Sequence, residues 1–388
     1  MRIAILPLAL GTFAIGLTEF AVMGLLSQIA EGLDVSVPAA GTLVTAYAIG
    51  VVVGAPLLTA VSLRLPRTRM LMLFMGMFAV GNALAAVAPS FGLLVAVRFL
   101  TGLPHGAFFG VASLVAASLV AEERRARAVA AVFLGLTVSN VLGVPAATAL
   151  GSVVGWRVAF AVIVVVACAS VVGIAILVPR NAVTTPARLG SELAVFRQPA
   201  VLLVLGMIVL GCGGLFAFYS YIAPVMTGLA GFGTNAVPVL LAVFGLGMTL
   251  GTVLGGRLAD RVDPRRVMVV LLAAQAVLLG VAVVALHTRW LAALVVFGVG
   301  LLGLALIPAV QSVVMDAAAD APVLASAAIH SAFNIANAIG AALGGAALAM
   351  GFGLGAPSAV GAILAAVGAL LALVSLRVVG RSREAVPA

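Results

Sequence analysis

The amino-acid sequence predicts an all-α membrane protein, with twelve transmembrane helices in two pseudo-symmetric six-helix bundles. Three observations predict it. Hydrophobic residues make up 64% of the 388 positions and charged residues 8%, with a mean hydropathy of +1.34, a balance that water does not hold in solution. The apolar residues fall into runs of about 20, the length an α-helix needs to cross a hydrocarbon core of about 30 Å. Finally, glycines, arginines and asparagines recur across the two halves at a constant spacing.

Charge or Pro/Gly clusters separate the runs, placing helices near Ala4–Leu26, Ala39–Val61, Met70–Ala88, Phe91–Val120, Ala128–Gly151 and Val158–Val178. Six more follow near Ala200–Ala223, Asn235–Leu258, Val267–Leu286, Trp290–Met315, Leu324–Ala349 and Pro357–Arg377. The expected organisation is a first bundle over 1–178, a cytoplasmic linker over 179–199 and a second bundle over 200–388. The first run is too long for a signal h-region, lacks a small-residue cleavage site and carries Glu19, so it is expected to stay as a helix. No loop is long enough for a soluble domain.

All twenty basic residues are arginine. With the N-terminus inside, seventeen of them fall on the cytoplasmic side, Arg157 and Arg289 outside, and Arg98 within a helix. The positive-inside rule therefore predicts two cytoplasmic termini. Because the arginines are scattered, nucleic-acid binding is not implied. Cys168 and Cys212 stand singly in apolar runs, without a metal or redox spacing.

One offset relates the halves. Gly50 and Gly247, Gly54 and Gly251, Arg64 and Arg261, Arg69 and Arg266, Gly106 and Gly303, Asn140 and Asn337, and Gly143 and Gly340 are each 197 apart. Parallel repeats of this kind belong to transporters that bind near the bilayer midplane.

Several stretches resemble a known family over nearly the whole chain. GGRLADRVDPRR at Gly255–Arg266 resembles the signature loop of the major facilitator superfamily. ALGTFAIGLTEFAVMGLL, YAIGVVVGAPL, GLPHGAFFGVAS, GLTVSNVLGVPAATALG and AFNIANAIGAALGG are similar to the arabinose-efflux-permease branch of its drug:proton antiporters. The resemblance implies a monomeric inner-membrane exporter that exchanges protons for small organic solutes, with no cofactor. It also implies gating roles for Arg64, Asp260, Arg261, Gly143, Pro145 and Gly340. The first copy of the signature loop has Leu63 where the family commonly has the aspartate kept as Asp260, and helix 5 has Gly-Val-Pro rather than a contiguous Gly-Pro.

Ionisable residues inside a membrane are costly and functional by default. Arg98, Gly102, His105 and Phe109 follow i, i+4, i+7, i+11 and share a helical face. At 1.5 Å per residue, Glu19 lies roughly 22 Å from the cytoplasmic side and Arg98 roughly 10 Å from the outer side, within a turn of the same depth. They are expected to be partners or near neighbours. Either their coupling is the proton site, or they form a static pair locking the first helix to the fourth. His105 either relays protons and lines a cavity, or is a neutral imidazole bonded to a neighbouring helix, with Gly102 and Gly106 allowing close approach.

Asn140, Asn334 and Asn337 are expected to bind substrate or to bond helices together, with His330, Asn334 and Asn337 forming one polar stripe. Phe216, Tyr219 and Tyr221 supply aromatic contacts to a lipophilic solute, or an interfacial belt. Gly143, Gly151, Gly340, Gly344 and Gly345 permit close packing and are expected to form a sliding seam between helices 5 and 11.

An enzyme would need a catalytic set such as HExxH, and the three histidines are far apart. The leading expectation is proton-coupled efflux of drugs or metabolites by alternating access, acting on neutral or weakly cationic amphiphiles. The alternative is a proton-independent sugar or nucleoside facilitator, against which the cost of keeping Glu19 in the bilayer argues.

Overall fold

The structure is a computed structural model and describes residues 2–62, 65–179, 199–317 and 322–384. Among them are twelve helices long and apolar enough to cross a membrane. They are α1 (Ile3–Gly24), α2 (Val37–Leu58), α3 (Arg67–Val87), α4 (Phe91–Ser118), α5 (Arg127–Val154) and α6 (Trp156–Leu177). The second set is α7 (Val201–Tyr219), α8 (Thr234–Arg261), α9 (Pro264–Ala285), α10 (Arg289–Val314), α11 (Ile329–Ala349) and α12 (Ala356–Leu376). Residues 180–198 of the expected linker, and Arg64, lie outside the described residues.

Local sequence explains where these helices start and stop. Ser90 caps α4 by accepting from the Leu93 N–H, and Asp263 caps α9 by accepting from the Arg265 N–H at 2.9 Å. Pro264 then occupies a first-turn position that needs no N–H. Helix α4 runs unbroken through Pro104. Two breaks differ from expectation. α1 stops at Gly24 and a short helix, Leu26–Gly32, follows; α7 stops at Tyr219 and Ile222–Gly228 follows. Both interruptions lie in apolar sequence without a proline at the break, so hydropathy reads straight through them.

The chain divides into two compact units, Met1–Ala187 with Phe232–Ala242, and Arg188–Gly231 with Val243–Ala388. The opening residues of α8 therefore group with the first unit. Within the first unit α2 packs along α4, α1 against α5 and α6, and α3 against α4 and α6. Within the second, α7 packs against α11 and α12, and α9 against α10 and α12.

Glycine sets the closest approaches. A Cβ on Gly50 would meet the Phe99 carbonyl, on Gly54 the Leu103 backbone, and on Gly102 the Tyr47 carbonyl, so α2 and α4 touch backbone to backbone. In the second unit Gly247 faces the Phe297 carbonyl, Gly251 the Leu301 carbonyl and Gly300 the Phe244 carbonyl. Helices α2 and α8 keep the expected offset of 197, whereas Phe99 and Phe297, like Gly102 and Gly300, are 198 apart. The expected pairing of Gly106 with Gly303 is thus one residue out of register. Gly106 faces Ala55, and Gly303 faces Leu215.

The glycines of helices 5 and 11 each find close neighbours inside their own unit. Gly143 packs on Phe13 and Leu17 of α1, and Gly151 on Leu25. Gly340 packs on the backbone of Gly213 and Ala217, and Gly344 on Ala217 and Tyr221. Each set serves a contact inside its own unit.

Arg157 and Arg289, expected outside, are both spent on loops. Arg157 donates to the Ala88 carbonyl at 2.9 Å while lying over the Trp156 ring, and Arg289 donates to the Gly231 carbonyl at 2.6 Å.

Gly54→Ala forces a methyl group into the Leu103 backbone and is expected to cost about 1–3 kcal/mol. Gly76→Ala meets nothing within 4 Å and is expected to be neutral or slightly stabilising. Thermal unfolding of the two purified variants in one detergent measures the difference.

Candidate functional site

The polar centre of the first unit is built by four helices. Glu19 is 3% exposed, Arg98 1% and His105 6%, so all three have left solvent. Arg98 Nη1 donates to the Thr18 carbonyl of α1 at 3.0 Å, and Nε to the Leu43 carbonyl of α2 at 3.4 Å. Its guanidinium lies 4.2 Å above the ring of Tyr47. The Nη2 group is buried without a hydrogen-bond partner. A guanidinium stays charged and carries five N–H donors, so this arrangement leaves part of its capacity unspent.

Thr18 does double duty. Its carbonyl accepts from Arg98, while its hydroxyl donates to Asn82 Oδ1 at 3.0 Å, and Asn82 Nδ2 donates back to the Phe78 carbonyl at 2.9 Å. Glu19, the next residue, interacts electrostatically with both Arg98 and Tyr47. Helices α1 and α4 thus meet at Thr18 and Arg98. His105 joins the same cluster through Tyr47, whose hydroxyl is 3.1 Å from Nδ1. Beyond it stand Phe109 and then Phe133, each ring centroid 5.2 Å from the last. His105 Nδ1 is therefore bonded to a side chain of α2.

Tyr47 was not singled out from sequence as a site residue, although a signal existed. It lies one turn before Gly50 and two before Gly54, on the face that those glycines press against α4. Asn82 carried no comparable signal.

Asn140 sits on an irregularity. Ser139–Gly143 form a π turn inside α5, closed by the Val144 N–H on the Ser139 carbonyl, and Pro145 follows with no N–H to give. π turns concentrate at functional positions. Asn140 Nδ2 donates to the Leu136 carbonyl at 3.2 Å. Only the amide NH2 pairs with a carbonyl, so Oδ1 faces away, buried and without a hydrogen bond, as is Ser139 Oγ. Gly16 of α1 lies against this turn at Leu136 and Ser139.

The second unit repeats one part of this chemistry. Asn334 Nδ2 donates to the His330 carbonyl at 3.1 Å, and its Oδ1 is buried without a hydrogen bond. Asn337 is fully buried on the same helix. Phe216 meets the edge of Phe333 at 4.9 Å, and Tyr219 stacks on Phe244 at 3.9 Å. Tyr221 donates to the Ala341 carbonyl at 2.8 Å. All three aromatics at the end of α7 are at most 1% exposed. Asp260 and Arg261 are exposed at the end of α8. Among the described residues no group of three His, Cys, Asp or Glu side chains is placed to hold a metal ion.

The family model described as Major Facilitator Superfamily matches residues 8–321 and 231–387. The chain is 42% identical over 377 residues to the inner membrane transport protein YdhP of Escherichia coli (strain K12), covering 96% of both chains. It is 36% identical over 346 residues to the chloramphenicol resistance protein of Streptomyces lividans, covering 88% of each. In fold it is similar to the crystal structure of a bacterial homolog of the human lysosomal transporter Spinster, with a TM-score of 0.71 at 17% identity over 96% of both chains.

Arg98→Lys keeps the charge but loses the flat contact with Tyr47 and the fork that reaches two carbonyls. It is expected to lower stability by about 2 kcal/mol. The midpoint of thermal unfolding in detergent checks this.

Proposed function

Since the chain belongs to the Major Facilitator Superfamily and is therefore a membrane transporter of small molecules rather than an enzyme, we propose that it exports small organic solutes in exchange for protons. The observation that carries this reading is the buried cluster in which Glu19 and Arg98 interact while Arg98 Nη2 is left without a hydrogen bond. Gain or loss of a proton at Glu19 changes the charge facing a guanidinium that stays charged, so protonation of this acid changes how α1 and α4 hold one another. Protonated from outside, Glu19 releases Arg98 towards Tyr47 and the helix carbonyls. Ionised again inside, it draws the guanidinium back, and the two arrangements bias opposite faces of an alternating-access cycle. A passive facilitator has no use for so costly an acid.

The branch proposed is the drug:proton antiporters of the arabinose-efflux type, on the motifs of α1, α2, α4, α5 and α11. The name of the Streptomyces relative, a resistance protein, supports export, and that of YdhP supports the inner membrane. Each unit offers its own groups to a solute: Asn140 in the first, and Asn334 and Asn337 with Phe216 and Tyr219 in the second. The unbonded Oδ1 atoms of Asn140 and Asn334 are acceptors, which suits a neutral or weakly cationic solute bearing O–H or N–H groups and disfavours a carboxylate. The π turn before Pro145, and the tight contact of Gly340 on α7, are where the helices adjust during gating. Asp260, Arg261 and Arg64 serve the inner gate. Both termini face the cytoplasm, and the two exceptional arginines support this orientation because each already has a loop carbonyl to hold.

In cells stripped of their major pumps, the wild type is expected to raise resistance to amphiphiles such as chloramphenicol, and Glu19→Gln to return it to the vector level with normal expression. Resistance retained in Glu19→Gln would point to the proton-independent facilitator. A fluorescent protein fused after Ala388 is expected to fluoresce, whereas an alkaline phosphatase fused there is expected to be inactive.

A further inference from the structure

Arg98 and His105 stand seven residues apart on α4, about 10 Å along the axis, and one side chain from α2 reaches both. Tyr47 places its ring beneath the guanidinium, 4.2 Å from the centroid, and its hydroxyl 3.1 Å from His105 Nδ1. That hydrogen bond has two polarities. In the neutral ring with its proton on Nε2, the phenol donates to Nδ1 and the Tyr47 ring gains electron density; when the ring takes up a second proton at Nδ1, the imidazolium donates and the Tyr47 ring loses it. A cation over an aromatic face is held by that density. The protonation of His105 therefore alters how firmly Tyr47 holds Arg98, and Arg98 interacts with Glu19.

We propose that Glu19 and His105 compete for a single proton, with Tyr47 and Arg98 as the physical link between them. The proposal rests on the reading of Glu19 as the proton site and adds the second holder. In one state the proton is on the Glu19 carboxyl and the Tyr47 O–H donates to Nδ1. In the other it is on Nδ1, which donates to the Tyr47 oxygen, and Glu19 is a carboxylate. Counting Arg98, the cluster carries one net positive charge in both states. Loading both sites would bury two, which a water-poor interior resists.

The other groups around His105 leave this count unchanged. α1 faces the cluster with Glu19, α2 with Tyr47, and α4 itself with Arg98. α3 brings Asn82, which is uncharged, and α5 brings the Phe133 ring by way of Phe109. The arginines of α3 and α5, namely Arg67, Arg69 and Arg127, stand in their first turns.

The test needs no substrate. The full chain labelled with 15N-histidine is placed in lipid nanodiscs, and the ring nitrogen signals are followed with pH. Three histidines are present, and the signal lost in His105→Gln identifies the one concerned. In the wild type His105 is expected to titrate between about pH 5 and pH 9. Glu19→Gln removes the competing carboxylate charge and is expected to move that midpoint down by about half a pH unit or more, about threefold in proton affinity. Tyr47→Phe keeps the ring beneath Arg98 but deletes the hydroxyl, and in that background the displacement caused by Glu19→Gln should fall to less than half. A His105 that does not titrate in this window, or an equal displacement with and without the Tyr47 hydroxyl, overturns the proposal. Efflux measured on the same variants separates the two readings. Efflux lost in Glu19→Gln beside equal displacements would overturn the competition and leave proton coupling standing, whereas efflux retained beside unequal displacements would do the reverse.

Discussion

A guanidinium inside a membrane protein is the constraint on which the first unit depends. Arg98 cannot discharge, because arginine does not give up its proton in proteins, and its position along α4 keeps it from reaching water at either end. Neighbouring helices must therefore come close enough to supply acceptors and a ring. Leu43 and Thr18 give carbonyls, and Tyr47 gives its face. That closeness is possible because Gly50, Gly54 and Gly102 bring α2 onto α4. Glycine and arginine here form one device, the first making room and the second using it.

The second unit has the glycines without the arginine. Gly247, Gly251 and Gly300 reproduce the close packing of α8 on α10, yet residue 296, in the place of Arg98 by the offset of 198, is a fully buried valine. The repeat has been kept as a packing pattern and has diverged as chemistry. This asymmetry agrees with the proposal that proton handling belongs to the first half.

Much of this was legible in the sequence, and the part that was not has physical reasons. Helix positions follow from hydropathy because the hydrocarbon core demands length and apolarity, and every expected run overlaps an observed helix. The convergence of Glu19 and Arg98 follows from counting rises along two antiparallel helices. Tyr47 escaped because a tyrosine in an apolar run has no charge to mark it; only its phase relative to Gly50 points it at α4. The partners of Gly143 and Gly340 escaped for a different reason. A small residue announces that something comes close but not what, and in each case the neighbour proved to be the first helix of its own unit.

A π turn is an α-helix carrying one residue more than its register needs. At Ser139–Gly143 the two ends of α5 are consequently out of phase by about 100°, so the side on which Asn140 stands and the side on which Thr148 stands are set independently, as they could not be on an unbroken rod. Helix α11, continuous from Pro322 to Ala349, has no such freedom. Two segments descended from one pattern are thus mechanically unlike: the one in the second half turns as a single piece, whereas its counterpart has a joint at which one half-helix can twist while the other stays still.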